Sequence, residues 1–317
     1  MIATVLIALA AGCASALMFA SIVSGALISL LLFYLAPLPL MVAALGWGPL
    51  CATIGGITAA TVLGLTFGLA FCVAFAVAIA LPAWWLGHLA LLGRPLAAGT
   101  VPSNDEVVLE WYPIGRILLW IVIFAAIMMT VALTAMSSDG PSITQTMRSA
   151  WAHVLESTGI RPTDRLLDAL VTIAPAAATI VITMMLTLNL WLAAKITATS
   201  GRLHRPWPDL KSTALPPLTL AALCAAIAFC FSGGLLAIVA QIITVALMMI
   251  YALTGFAVLH TLTLALKSRA LWLSCIYVIV VVFSWPILAM VALGIADAIF
   301  GLRLRYLRGR PPPLPAS

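Results

Sequence analysis

Apolar residues fill most of this chain in unbroken blocks, with only short polar stretches between them. The first block extends from residue 2 to 92, and no Asp, Glu, Lys or Arg precedes Arg94. A helix needs about 20 apolar residues to cross the hydrocarbon of a bilayer. On that length the pattern predicts an opening helix over about 4–33 and a short one over 36–46 after the break "APLPL". Further spans follow at about 49–66, 68–92, 114–136, 168–194, 215–232, 234–266 and 271–296.

The polar stretches predict the rest of the layout. Residues 93–113 form a link that contains Asp105, Glu106 and Glu110. In 137–168, Ser142 is placed to cap a helix with Gln145 completing a capping box. Ile143, Met147, Trp151, Val154 and Leu155 then share one face and Gly159 ends it, so a helix over about 143–158 is expected to lie on the membrane surface. Thr163 is expected to cap the next helix. The loop 195–211, "KITATSGRLHRPWPDLK", holds four Lys or Arg against one acid and is expected in the cytoplasm. The mixed charges of 137–168 suit the outside. Three full crossings after 195–211 would carry the C-terminal arginines outside. Either 234–266 therefore breaks near Gly255, or one span is re-entrant. The expectation is an all-α polytopic transmembrane bundle of about eight full spans plus one short or broken span. It forms a single integral membrane domain over 1–317, with a cytoplasmic C-terminus and a basic, disordered tail over about 309–317.

Composition agrees: 64% of the 317 residues are hydrophobic and 8% charged, too few charges to cover a soluble domain. Strands of a membrane barrel would alternate polar and apolar positions, which these blocks do not. The net charge of +6 sits in loops flanking spans, where it sets orientation and calls for no nucleic acid. "LAAGC" at 9–13 has the look of a lipoprotein cleavage box, but no Lys or Arg precedes it and the apolar run continues beyond Cys13, so processing is not expected. The six cysteines lie in apolar runs without CxxC spacing and read as small buried residues. No P-loop, HExxH or GxSxG motif occurs. An enzyme is not expected, and neither a metal nor a cofactor is implied.

Three features are candidates for function. Small residues recur every fourth position at Ala8, Gly12, Ala16, Ala20 and Ser24, and again at Gly48, Ala52, Gly56, Ala60, Gly64 and Gly68. Such stripes allow close helix packing, either inside the chain or against another membrane protein. Asn189, Gln241 and His260 are polar residues within spans and could line a polar pocket or bond neighbouring helices. Asp297 closes the last apolar run ahead of Arg303, Arg305, Arg308 and Arg310. At mid-bilayer an aspartate would cost about 2.5 to 3.5 kcal/mol. Six residues is not a pairing distance along a helix, so Gly294 is expected to end the span. Asp297 would then cap a short helix whose arginines contact lipid headgroups or a partner.

"GIADAIFGLRLR", "YLAPLPLMVAAL", "NLWLAAKI" and "TGFAVLHTL" together resemble the YybS-like family of bacterial multi-pass membrane proteins. The resemblance implies an inner-membrane location and a relation to the substrate-binding subunits of energy-coupling-factor vitamin transporters. In those subunits an Ala-xxx-Ala pattern on the first helix docks the coupling subunit, and Ala16 to Ala20 is similar to it. Two functions stay open: a small-solute binding or transport subunit working with partner membrane proteins, and a non-transporting scaffold of envelope assembly.

Overall fold

The computed structural model describes residues 2–95, 109–136, 142–207, 213–283 and 285–308. The chain divides into two compact units, one of residues 1–113 and 123–208, the other of residues 114–122 and 209–317. Among the described residues seven helices are long and apolar enough to cross a membrane, and eight if one bent pair counts as a single span.

The first unit opens with α1 (Ile2–Ala20), which tightens into a 3-10 turn over Ser21–Ser24 and stops at Gly25. Helices α2 (Leu27–Leu35) and α3 (Pro37–Trp47) follow. One helix over 4–33 with a short 36–46 helix is thus not what forms: Ile2–Ser24 is one span and Leu27–Trp47 the next. The physical reason lies at both junctions. Gly25 takes a left-handed φ of +67°, which it adopts at little steric cost, and the Ser24 and Ser29 hydroxyls bond across the turn. Pro37 instead occupies the first turn of α3, where no N–H is needed, so the proline does not end the span.

Next come α4 (Pro49–Phe67), α5 (Leu69–Phe75) and α6 (Leu81–Ala90), the last two joined by a π-helical turn over Ala76–Ala80. Pro82 cannot donate to the carbonyl four residues back, and a wider turn just before it accommodates that loss. The 93–113 link contains a small antiparallel hairpin of β1 (Gly93–Pro95) and β2 (Leu109–Trp111), on which Arg94 meets Glu110 at 2.6 Å. Asp105 and Glu106 lie outside the described residues. Helix α7 (Ile114–Met136) has its first part in the second unit.

Helix α8 (Ile143–Ser157) begins with the Ser142 hydroxyl accepting the Gln145 N–H, and α9 (Asp164–Thr199) with Thr163 accepting from Leu166. Arg148 of α8 pairs with Asp164 and Asp168 of α9. Along α9 the hydroxyls of Thr179, Thr183, Thr187 and Thr197 donate to carbonyls four residues back, which satisfies them inside apolar surroundings. Beyond α9 the basic loop folds over helix ends of the same unit. Lys195 lies over the Trp207 ring, Arg202 lies over the Trp47 ring, and Arg205 donates to the carbonyl of Ala90. Burial pushes the Arg205 guanidinium down from its usual value.

The second unit contains α10 (Leu218–Phe229), α11 (Gly234–Leu262), α12 (Arg269–Phe283), α13 (Ile287–Phe300) and α14 (Leu302–Arg308). Its core gathers Val122, Leu223, Leu247, Ile250, Tyr251 and Val291. Helix α11 does not break near Gly255. That glycine instead lets the Met290 carbonyl approach, as Gly294 does for the Tyr251 carbonyl, so α11 and α13 cross backbone to backbone and run antiparallel. The short elements are α10 and α12, and the bent pair is α13 with α14, at 65°. The tail 309–317 lies outside the described residues.

Candidate functional site

The first unit holds Asn189 at its centre, on the buried side of α9 and 1% exposed. Its amide nitrogen donates to the Tyr34 carbonyl and to the Met185 carbonyl, both at 2.8 Å. Two carbonyl acceptors fix which end of the amide is the nitrogen. Tyr34 stands just before the α2–α3 junction, where Pro37 and Pro39 offer no N–H. A second side chain braces the same junction: Ser15 of α1 donates to the Ala36 carbonyl at 2.6 Å. The other end of the amide is different. Asn189 Oδ1 is buried and has no hydrogen-bond partner among the described residues. Leaving a buried acceptor unmet costs about 1–3 kcal/mol, and this oxygen carries that cost.

The first stripe meets α4 at Gly55, one position off the second stripe. A Cβ added to Gly12 would overlap the Gly55 carbonyl, and one on Gly55 would press on the Ala8 carbonyl, so α1 and α4 touch through their backbones. Gly12, Ala16, Gly56 and Ala60 are buried in the chain, while Ala20 and Gly64 are partly covered. Gly56 packs near Ala80 and Gly64 near Cys72. Leu6, Leu9 and Leu17 of α1 are exposed, whereas Ala8, Gly12 and Ala16 of its stripe are buried.

In the second unit Gln241 is half-buried near the start of α11 and His260 lies near its end. At 1.5 Å per residue they stand about 28 Å apart along one continuous helix, so the structure does not bring these two together. The His260 Nε2 lies 2.7 Å from the Tyr277 hydroxyl, and Tyr277 stacks on Phe256.

Asp297 is the clearest correction. Gly294 does not end the span; α13 runs through Asp297 to Phe300. Gly301 then takes a left-handed φ of +62° and turns the chain into α14. That turn brings Arg303 back over Asp297. One carboxylate oxygen accepts the Arg303 backbone N–H at 2.9 Å, and the other accepts Nε at 2.8 Å and Nη2 at 2.7 Å. Asp297 therefore caps α14 as expected and also pairs with Arg303, which straight-helix spacing would forbid. Both are buried, at 8% and 6% exposed, and Arg303 Nη2 also donates to the Thr213 carbonyl at 2.7 Å. Neither is presented to headgroups or to a partner. Arg305 and Arg308 are exposed.

Ser15, Thr213 and Tyr277 take part in these arrangements and are not among the residues the sequence points to. Ser15 was hidden among small residues, and the others stand where only the fold supplies a partner.

Long apolar helices, buried polar side chains that find backbone acceptors and charges gathered at helix ends define a polytopic helical membrane protein, whose spans imply residence in a lipid bilayer. The chain belongs to the family described as "Predicted membrane protein (DUF2232)", whose model matches residues 13–298. Neither the curated proteins nor the solved structures yield a match to it.

Proposed function

We propose that this protein is a non-enzymatic subunit that binds or transports a small polar solute, working with partner membrane proteins in the bacterial inner membrane. The observation that carries the reading is Asn189: a fully buried amide, held by two carbonyls, with its oxygen unmet. A solute that offers an N–H or O–H donor would satisfy that oxygen, and the bracing by Tyr34, Met185 and Ser15 would hold the acceptor ready for it. A relation to the energy-coupling-factor substrate-binding subunits suits this reading. Docking through Ala16 and Ala20 does not, because Ala16 is buried within the chain. A cytoplasmic C-terminus suits this reading, because Arg305 and Arg308 of α14 are exposed cations.

The test is a thermal-stability screen of the purified full chain against small solutes that carry hydrogen-bond donors, run in parallel on Asn189→Leu. A solute that stabilises the native chain and leaves the variant unmoved is the expected result. Hits that act equally on both chains would overturn the assignment of Asn189. The scaffold reading draws on one observation, that α12 has no buried residue and presents apolar side chains along its length. Copurification from native membranes separates the two: a coupling subunit with ATPases favours transport, and envelope-assembly proteins favour the scaffold.

A further inference from the structure

We propose that Lys267 and Arg269, at the junction of α11 and α12, form a binding site for a phosphate oxyanion. This inference rests on residues of the second unit and is independent of Asn189.

The arginine is held by a fixed imidazole. Arg269 Nη2 lies 3.3 Å from the His260 carbonyl and 3.4 Å from His260 Nδ1. A guanidinium has donors only, so Nδ1 facing it is the unprotonated, accepting nitrogen. The ring proton is then on Nε2 and is donated to the Tyr277 hydroxyl at 2.7 Å. Tyr277 is in turn stacked on Phe256, with ring centroids 5.4 Å apart. This chain of contacts fixes one edge of the guanidinium and leaves another unmet: Arg269 Nε is buried without a hydrogen-bond partner among the described residues.

The charge is unmet as well. No Asp or Glu occurs between Asp209 and Asp297. The Asp297 carboxylate is engaged by Arg303. Among the described residues neither Lys267 nor Arg269 has an ion pair. Two like charges two residues apart, one with a buried unpaired N–H, are stabilised by an anion with several acceptor oxygens. A phosphate matches the guanidinium fork, and the exposed Lys267 ammonium adds a point charge beside it. The phosphate could be that of an anionic lipid headgroup or a free phosphate. The exposed Leu271, Trp272 and Val278 of α12 suit the acyl chains of a lipid.

The experiment uses the purified full chain, stripped of phospholipid in detergent, with binding measured by native mass spectrometry and thermal shift. One arm adds phosphatidylglycerol in mixed micelles, the other inorganic phosphate. Arg269→Gln and Lys267→Gln are compared with Arg161→Gln, a control that is exposed in the segment ahead of α9. The expected result is phosphatidylglycerol binding that weakens about tenfold or more in Arg269→Gln, weakens measurably in Lys267→Gln, and is unchanged in Arg161→Gln. Inorganic phosphate binding with the same residue dependence would support the site and assign it to the free anion. If Arg269→Gln does not fold, Lys267→Gln decides, because its side chain is exposed. Binding that ignores both substitutions, or no binding in either arm, overturns the proposal.

Discussion

In the first unit Asn189 keeps a buried oxygen without a donor, whereas in the second Asp297 has both carboxylate oxygens engaged by one arginine. Each polar group lies in a helix of otherwise apolar character, and each is braced by a chain break: the proline junction after α2 for Asn189, the Gly301 turn for Asp297. The difference lies in what each group leaves unmet. A carboxylate that is capped, paired and covered stabilises the local fold and has nothing left to offer a ligand. An amide that is held firmly at one end and unmet at the other keeps a free acceptor at a cost in stability, which is what the proposed solute site would use.

The largest effect should therefore come from breaking the satisfied site. Asp297→Ala would leave Arg303 buried without its carboxylate and should destabilise the second unit by about 3–5 kcal/mol, read as a fall in the thermal unfolding midpoint in detergent. Replacing both partners, Asp297→Leu with Arg303→Met, should restore most of that loss, since the desolvation cost goes with the charges. A single substitution that costs no more than the double one would mean that the pair is not coupled in the way its geometry indicates.

Next come the backbone crossings, which occur in both units. Gly255→Ala and Gly294→Ala would each drive a methyl into a carbonyl of the facing helix, and Gly12→Ala would do the same between α1 and α4. Overpacking of this kind costs about 1–3 kcal/mol. The midpoint should fall in all three variants, while Leu17→Ala, on an exposed position of α1, should leave it nearly unchanged.

The sequence makes some of this plain and hides the rest for physical reasons. Helical spans are legible because apolar blocks of span length have few other solutions. Ser142 and Thr163 are legible as caps because capping is local, decided within three residues. The ends of the first two spans are not: "APLPL" looks like the stronger break, yet prolines in the first turn of a helix are tolerated, and Gly25 makes the turn. Asp297 was readable as a cap but not as an ion pair, because the pairing depends on a left-handed glycine between the partners. Asn189 was singled out by its polarity alone; that only one end of its amide is satisfied depends on Tyr34, 155 residues away in the chain.

At the unsatisfied site the expected change is smaller. Asn189→Leu removes two hydrogen bonds but also removes the unmet oxygen, and the opposing terms should leave a net loss of about 1 kcal/mol. Asn189→Asp keeps the shape and loses both donors, so it should be the more damaging of the two. Unfolding midpoints of the two variants measured side by side check the order. If the leucine variant were the worse, the bonds donated to the Tyr34 and Met185 carbonyls would not be what the amide contributes.

The smallest effect is expected where charges meet at the surface. Arg148 pairs with Asp164 and Asp168, joining α8 to α9, and Asp164 is 93% exposed at its side chain. Water and salt screen such contacts, and ordering long side chains offsets much of the attraction. Arg148→Ala should lower stability by less than about 1 kcal/mol at low ionic strength. In roughly 1 M salt, where the screening length falls to about 3 Å, the difference from the native chain should shrink further. Unfolding midpoints at the two ionic strengths test this directly. A loss as large as that of Asp297→Ala, and insensitive to salt, would show that α8 is held in a drier setting than the exposed acids of α9 indicate. The contrast between a buried pair and a solvated one would then need another physical basis.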